Sequence, residues 1–541
     1  VTPSSLFHIP TTLDSTTREH EARKLTEREP LDILVVGGGI HGAVAARIAA
    51  ASGFATALVD RADFGGATSS RSSKMAHGGL RYLELLDFEQ VFEGIKAREE
   101  MFRHISHLVQ PSEFLIPVPS GKFLFKWKLG IGLYLYDLLS RDRKRQHRWI
   151  PREDLTYPGY NSEHRDLMGC YLYYDGIMSD ARLVIENVLA ARRAGASTLN
   201  YCEVLRSQTD ADGIHTVTLK DSLSGRELSL RTRLIINCAG PWCGALTTRL
   251  GGESHPLKFS RGSHIIFSKP WRGPSLFLPM EGKARYYFVW PHPAGTLVGT
   301  TEREVSELQD DPIPSRDEID EILARLERDI PDAGLRRENA CYCFAGIRTL
   351  PLRRRDGASS TLSRKHIWEH SNGILTLSGG KYTTAWWTSC EGVTLAAQLL
   401  GRPLDEELTR YRPDLLTVPG SMSTEERSLV EEGLHGLSPS ERSSMLARYG
   451  KRLLMGYDLS RLITSEARIA FETEIALETE QVEGLDDLMR HRLELEYLPG
   501  HGLTYLPIIK EIFNRLRPQV NFEREADAYR ARMHSIDTLL A

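Results

Sequence analysis

The chain has 541 residues, and 68 basic against 72 acidic side chains leave a net charge of −4. That length asks for about two or three domains, and the near balance of charge removes any global case for a nucleic-acid partner. Seven cysteines with no CxxC pair make no disulfide framework. Cys341 and Cys343, separated by one residue, read as reduced structural thiols on a strand.

Residues 1–31 are polar and read as a mobile N-terminal arm without a signal-peptide core. Ile33, Leu34, Val35 and Val36 then form the short apolar run of a buried parallel strand. Gly37, Gly39 and Gly42 follow at GxGxxG spacing, ahead of an alanine-rich helix over 43–51. A second apolar run, 54–59, ends in Asp60, about twenty residues past the glycines, where a ribose is recognised. Gly37 allows a tight turn, Gly39 lets the backbone approach a pyrophosphate, and Gly42 lets helix and strand pack closely. The helix N-terminus faces the phosphates. A lone GxGxxG is weak; with strand, helix and acid in register it predicts dinucleotide binding.

Residues 61–74 are rich in glycine and small hydroxyls, including Thr68, Ser69, Ser70 and Ser73. They fit donors to phosphates, or a flexible loop with ordinary turn chemistry. His77, Gly78, Gly79, Leu80, Arg81 and Tyr82 put a cation and an aromatic ring beside two glycines, which suits a small anionic ligand. Phe88, Val91, Phe92, Ile95 and Phe102 sit at helical spacing. Between 121 and 150 basic residues mix with aromatic ones: Lys122, Lys126 and Lys128 around Trp127, then Arg141 to Arg148. This suits the plane of an anionic membrane, or equally a solvated basic face beside buried aromatics.

Asp180 can cap a helix through Val184, Ile185, Val188 and Ala191, and a strand is expected over 198–204. Leu234, Ile235 and Ile236 lead into Asn237-Cys238-Ala239-Gly240-Pro241-Trp242, a second place where backbone could meet a nucleotide. Short alternating strands at 264–267, 286–290 and 297–300 predict an inserted antiparallel sheet, with a helix near 316–328 after it. Ile374 to Leu377 forms a last apolar strand before Ser378-Gly379-Gly380-Lys381-Tyr382-Thr383-Thr384 and a helix. That turn aims backbone donors and a positive dipole at an anionic group, such as a reduced flavin, or is a simple helix entry. Beyond Arg402 amphipathic spacings predict a separate helical domain. No apolar run reaches the roughly 18 residues that span a bilayer. There is no zinc spacing, EF-hand loop, G-x-S-x-G elbow or internal repeat, and no metal is expected.

Taken together, the motifs resemble the FAD-dependent glycerol-3-phosphate dehydrogenases. The resemblance rests on VVGGGIHGA at 35–43, ATSSRSSKMAHGGLRYLE at 67–84, DARLV at 180–184 and NCAGPW at 237–242. RGSHIIF at 261–267, GTTE at 299–302, AGIRTL at 345–350 and LSGGKYTT at 377–384 continue it, in order, over residues 32–390. It implies an α/β fold: a Rossmann-like, glutathione-reductase-like FAD-binding domain, an inserted antiparallel-sheet substrate domain and a C-terminal all-α domain. The expected division is an arm at 1–31, a discontinuous FAD-binding domain at 32–105, 168–255 and 345–400, a substrate domain at 106–167 and 256–344, and helices over 401–541.

By position, the resemblance assigns Gly37, Gly39, Gly42 and Asp60 to the ADP half of FAD. It places Thr68, Ser69, Ser70, Ser73, Lys74 and His77 on the pyrophosphate and flavin side, completed by Val204, Gly240, Gly379, Gly380, Lys381, Tyr382 and Thr383. Arg81, Tyr82, Arg348, Arg364 and Lys381 would surround the substrate. The implied reaction oxidises sn-glycerol 3-phosphate to dihydroxyacetone phosphate, with hydride passing from C2 to flavin N5 and electrons going on to membrane quinone. Arginine's planar fork suits a phosphate dianion, so Arg81 and Arg364 are the phosphate candidates. Arg348 and Lys381 would stabilise the developing alkoxide, and His77 and His264 are alternative general bases. The implied setting is cytoplasmic and peripheral on the inner membrane, with an anionic membrane surface as partner and room for a homodimer. Thr349 stands where the family usually has proline, Glu302 where it has aspartate, and Arg353, Arg354 and Arg355 are extra. Another polyol phosphate, an oxidase passing electrons to oxygen, and a non-catalytic flavoprotein therefore stay open as alternatives.

Overall fold

The computed structural model describes residues 15–27, 30–80, 87–140, 143–157, 160–161, 166–280, 286–352, 366–404, 417–455, 457 and 459–541. Its first sheet is built on the run 31–36. Ile33, Leu34 and Val35 are completely buried, each stabilising by roughly 1.5–3 kcal/mol. Strand Leu31–Val36 pairs in parallel with Thr56–Val59 on one side and Glu227–Asn237 on the other. Ile374–Ser378 adds in parallel to Glu227–Asn237. Val36 therefore lies level with Val59 and Asn237, and Asn237 with Thr376. The turns that follow these strands all leave from one edge of the sheet, where open α/β sheets bind ligands. Helix Ile40–Ala51 packs against Asp180–Arg193 and Ala385–Leu399. Its alanines permit the close approach: within it only His41 and Ala51 are not buried.

The second sheet has ten strands and is antiparallel, except where Ser275–Pro279 meets Val109–Pro119 in parallel. Leu257–Phe267 lies near its centre, flanked by Gly295–Gly299 and Ala340–Pro351. The predicted strands at 264–267, 286–290 and 297–300 belong to it, and helix Arg316–Asp329 covers it.

Several expectations need correction. The strand Leu167–Met178, placed by the sequence in the nucleotide domain from 168 onward, pairs with Val109–Pro119 in the second sheet. The strand Ala340–Pro351 likewise stays in that sheet past 345. Hydrophobic runs report that a strand is buried, not which sheet it joins. The expected strand over 198–204 is two, Ser197–Leu199 and Cys202–Thr209. Tyr201 between them takes φ +55°, which breaks the extended chain. The described part of the N-terminal arm is a helix, Ser15–Glu27, not a mobile segment. Its Arg18 is buried, donates to Asn200 Oδ1 at 2.9 Å and pairs with Asp221 at 3.3 Å.

The C-terminal helices are not separate either. Tyr497 and Leu477 share one apolar core with Tyr342 and Phe344 of the second sheet. Buried ion pairs stitch them to the nucleotide region: Arg182 to Glu480 at 2.6 Å, Arg452 to Glu186 at 2.9 Å, and Arg492 to Asp63 at 2.7 Å. Breaking such a pair strands a buried charge and costs on the order of 3–5 kcal/mol. All seven cysteines are unpaired. No helix among the described residues is long and apolar enough to cross a membrane.

Candidate active site

The glycine turns converge on one cavity of about 740 Å³ between the two sheets, within the range of small-molecule and cofactor sites. At its nucleotide end Gly37 takes φ +103°, and a Cβ there would lie 2.5 Å from the Cys238 carbonyl oxygen. Only glycine fits both demands. Gly42 does not line the cavity; its missing Cβ would lie 1.8 Å from the Gly37 oxygen, so it serves helix–strand packing. Gly39 caps the helix and faces the cavity. Asp60 accepts from the Gly38 N–H at 2.6 Å and the Ala62 N–H at 2.9 Å. Burial pushes its carboxyl up to about 6 despite those two donors.

Val204, Gly240, Gly379, Gly380, Lys381, Tyr382 and Thr383 also face the cavity, as do Thr68, Ser69 and Ser73. Gly240, Gly379 and Gly380 all have positive φ. Bare backbone thus presents itself to the cavity from three strand ends. Thr68 donates to the Ile347 oxygen at 2.8 Å, and the Ser69 hydroxyl accepts from the Ile40 N–H at 3.0 Å.

Two assigned residues do not reach the cavity. Ser70 is buried beneath the loop, and its hydroxyl turns back to the Ala67 oxygen at 3.3 Å. Lys74 takes φ +51° and points its amine at Asp180, 2.6 Å away, and toward Glu494 at 3.6 Å. Burial opposes the lysine's charge, but Asp180, Tyr497 and Glu494 outweigh it and hold its pKa above the usual range. Lys74 is a structural tie of the cofactor loop. The same pair explains Asp180, expected as a helix cap. It is the first helical residue, behind the cap Ser179, and its carboxylate serves Lys74 and the Ser72 hydroxyl.

The other end of the cavity is built of side chains from the second sheet. The Arg348 guanidinium lies on Gly262, where a Cβ would come within 2.3 Å of it, and donates to Thr300 Oγ1 at 2.8 Å. His264 lies on Gly299 in the same way, 2.1 Å from a would-be Cβ, and stacks on Phe344 at 4.8 Å. The glycines of RGSHIIF and GTTE are therefore floor space for Arg348 and His264. His264 Nε2 shares a hydrogen bond with Ser73 Oγ at 3.0 Å, and Nδ1 is buried without a partner among the described residues. Burial, then the charges of Arg348 and Lys74, push its imidazole down to about 3, so it is neutral. Lys381 donates to Gln90 Oε1 of helix Phe88–His104. His77 lines the cavity beside Gly79. Arg81, Tyr82 and Arg364 lie outside the described residues, as do Arg353, Arg354 and Arg355. Glu302 and Thr349, the departures from the family pattern, both line the cavity.

Sequence reading missed three features. His41, inside the glycine motif, turns a buried, unpartnered Nε2 toward Gly380, whose would-be Cβ lies 2.7 Å away. Burial pushes this imidazole down to about 4. Its place in the first turn after GxG was a usable signal. Arg61 lies over the Trp242 ring at 4.2 Å, at the end near Asp60. Phe277 and Tyr286, stacked at 4.1 Å, give the far end an aromatic wall with Phe288. Nothing in the sequence brings those strands together.

These features fit a flavin dinucleotide. The cradle is one that a Cβ would fill at Gly37, the ribose acid is fixed, and a helix N-terminus and the 379–383 turn supply backbone donors.

A protein-family model described as FAD dependent oxidoreductase matches residues 32–389. The chain is 32% identical over 494 residues to a glycerol-3-phosphate dehydrogenase of Synechocystis, covering 85% of this chain and 88% of that one. It is 31% identical over 407 residues to the mitochondrial glycerol-3-phosphate dehydrogenase of Rattus norvegicus, covering 71% of this chain but 55% of the rat protein. Among solved structures, the glycerol-3-phosphate dehydrogenase of Bacillus halodurans, complexed with FAD, superposes with a TM-score of 0.73. It covers 97% of this chain and 98% of that one at 22% identity, which is a likeness of fold.

Proposed function

The chain belongs to the FAD-dependent oxidoreductase family and, within it, to the glycerol-3-phosphate dehydrogenases, and from that premise we propose that it oxidises sn-glycerol 3-phosphate to dihydroxyacetone phosphate and passes the electrons to quinone. FAD is its cofactor. The observation that carries this reading is convergence. Glycine turns from both halves of the nucleotide sheet open into the same cavity as Arg348, Lys381, His264 and His77.

When bound, FAD supplies the hydride acceptor for the C2 hydrogen. The chain's own residues deal with the rest. Arg348 and Lys381 present positive charge to the C2 oxygen as it becomes an alkoxide. Arg81 and Arg364 are assigned to the phosphate. Of the two histidines, His77 is assigned to take the hydroxyl proton. A proton on His264 would sit against Arg348 and Lys74, so His264 orients the substrate as a neutral imidazole held by Ser73.

The helix Phe123–Leu139 carries the membrane part of the reading. Leu124, Trp127, Ile131, Tyr134 and Leu138 form one outward stripe, with Leu124 84% and Trp127 70% exposed. Leu133 and Tyr136 are buried on the opposite face. Lys122 and Lys128 flank the stripe, and exposed Arg143, Lys144, Arg145 and Arg148 follow it. An exposed apolar stripe with basic flanks is what an anionic bilayer surface binds. Electrons then have a lipid-phase acceptor at hand.

The test is an absorbance spectrum of the purified protein before and after anaerobic glycerol 3-phosphate. Flavin bands that bleach support the reading; colourless folded protein that takes up no added FAD sinks it. Because Glu302 and Thr349 line the cavity, longer polyol phosphates belong in the same assay with a dye acceptor. A higher kcat/KM for one of them would replace glycerol 3-phosphate as substrate. Stoichiometric peroxide without quinone would replace the acceptor.

A further inference from the structure

The side-chain end of the cavity includes the strip His77–Gly79, and the groups that hold this strip lie behind it. Gly78 is clamped between two helices. A Cβ on Gly78 would lie 2.2 Å from the hydroxyl of Tyr136, on the inner face of helix Phe123–Leu139. A Cβ on Gly94 of helix Phe88–His104 would lie 2.8 Å from the Gly78 carbonyl oxygen. From strand Leu167–Met178, Asp175 Oδ1 accepts the Gly78 N–H at 2.9 Å. The same oxygen accepts from Arg98 at 3.0 Å and from the Tyr136 hydroxyl at 3.3 Å, and Arg98 also donates to the Tyr136 oxygen at 2.8 Å.

Asp175 and Tyr136 are each 2% exposed and Arg98 is 4% exposed. Glu99, 3.9 Å from Arg98, is the other charge against this cluster. Burial drives the Tyr136 hydroxyl well above the usual tyrosine range, so it stays a donor. A buried Arg–Asp–Tyr group is costly to desolvate, and apolar side chains of like volume would hold two helices and a strand at least as well. What apolar side chains cannot do is fix one backbone N–H in a wall whose neighbours on either side, His77 and Gly79, face the cavity.

We propose that Tyr136, Asp175 and Arg98 are positioning residues that set how far His77 projects toward the bound alcohol. The proposal rests on the reading that His77 takes the substrate's proton. It also gives the helix with the outward apolar stripe a direct hold on the active-site wall, since Tyr136 lies on its opposite face.

Tyr136→Phe removes one hydroxyl and no volume. In anaerobic stopped flow with glycerol 3-phosphate, its limiting rate of flavin reduction should fall about tenfold, as a small misplacement of a reacting group predicts. FAD content, melting temperature and the substrate's apparent Kd should stay near wild type. Gly94→Ala pushes the strip from the other side and touches no hydrogen bond of the cluster, and should give the same split between rate and Kd. Tyr449→Phe, a fully buried tyrosine of the C-terminal helices, should leave the rate unchanged. A Tyr136→Phe protein that reduces its flavin within about twofold of wild type overturns the positioning role, because that is too small a loss for a displaced reacting group. A wild-type flavin that does not bleach at all instead overturns the functional reading, and this role with it.

Discussion

The two ends of the cavity are made of different material. Around Gly37, Gly240 and Gly380 the ligand would meet backbone, and the residues that matter are those without side chains. Around Arg348 and His264 it would meet charged and polar side chains, each lying on a glycine and tethered to a hydroxyl of Thr300 or Ser73. The first end tolerates no added atom. The second tolerates exchange of side chains but not loss of their charge. Damage to the first should therefore cost the cofactor, and damage to the second only the turnover.

The most severe test of that contrast is Gly37→Ala. It adds a Cβ 2.5 Å from a carbonyl oxygen at a φ of +103°, a strain on the order of 1–3 kcal/mol before any clash. The purified protein should be largely colourless by its 450-nm absorbance (about that wavelength for flavins). A yellow, active variant would mean that the turn does not touch the dinucleotide. Arg348→Ala comes next: turnover should drop on the order of 10²–10³-fold, as for loss of one stabiliser of a developing oxyanion, with FAD content unchanged. Loss of FAD instead would erase the distinction between the two ends.

A smaller effect, outside the cavity, concerns the apolar helix. The pair Leu124→Glu and Trp127→Glu should move the protein off anionic vesicles in flotation, while dye-linked turnover stays intact. Neutralising Arg143, Lys144, Arg145 and Arg148 should do the same in a salt-dependent way, at about 1 kcal/mol per charge. Unchanged partition in both would remove this helix from the membrane reading.

The mildest effect is a pH dependence at the nucleotide end. Asp60, pushed up to about 6, is mostly carboxylate at pH 7 and mostly protonated at pH 5. Ribose hydroxyls donate to the carboxylate, so FAD affinity should weaken as pH falls through 6, by up to about tenfold over that interval. Titrating apoprotein with FAD reads this directly, and Asp60→Asn should flatten the curve. In the cofactor-free protein the sign is opposite. A raised carboxyl pKa means the fold binds that proton more tightly than the unfolded chain, so the Asp60 contribution favours the fold as pH falls from 7 toward the unfolded value near 4.

The division between the ends also sorts what could be read from residues alone. Gly37, Gly39, Gly42 and Asp60 were legible because their roles are local: a turn, a helix cap and an acid at fixed spacing along one βαβ unit. The family motifs likewise marked Arg348, His264 and Lys381, since each stands in a short distinctive block. Lys74 was misassigned because its motif looks like its neighbours' while its φ of +51° turns the amine away to Asp180. Ser70 failed for the same reason. The mobile-arm reading of the N-terminus failed because a polar segment says nothing of Arg18 meeting Asn200 and Asp221, over 180 positions away.

Spacing along the chain thus determined that there is a dinucleotide turn, an acid for its ribose and a set of cations for a phosphorylated alcohol, because short-range geometry is encoded by neighbouring residues. The tertiary structure alone decided which sheet each long strand joins, which cation is spent on a buried ion pair, and that Tyr136 and Asp175 stand behind His77. Those outcomes depend on pairing between segments far apart in sequence, where burial and hydrogen-bond satisfaction, not periodicity, select the partner.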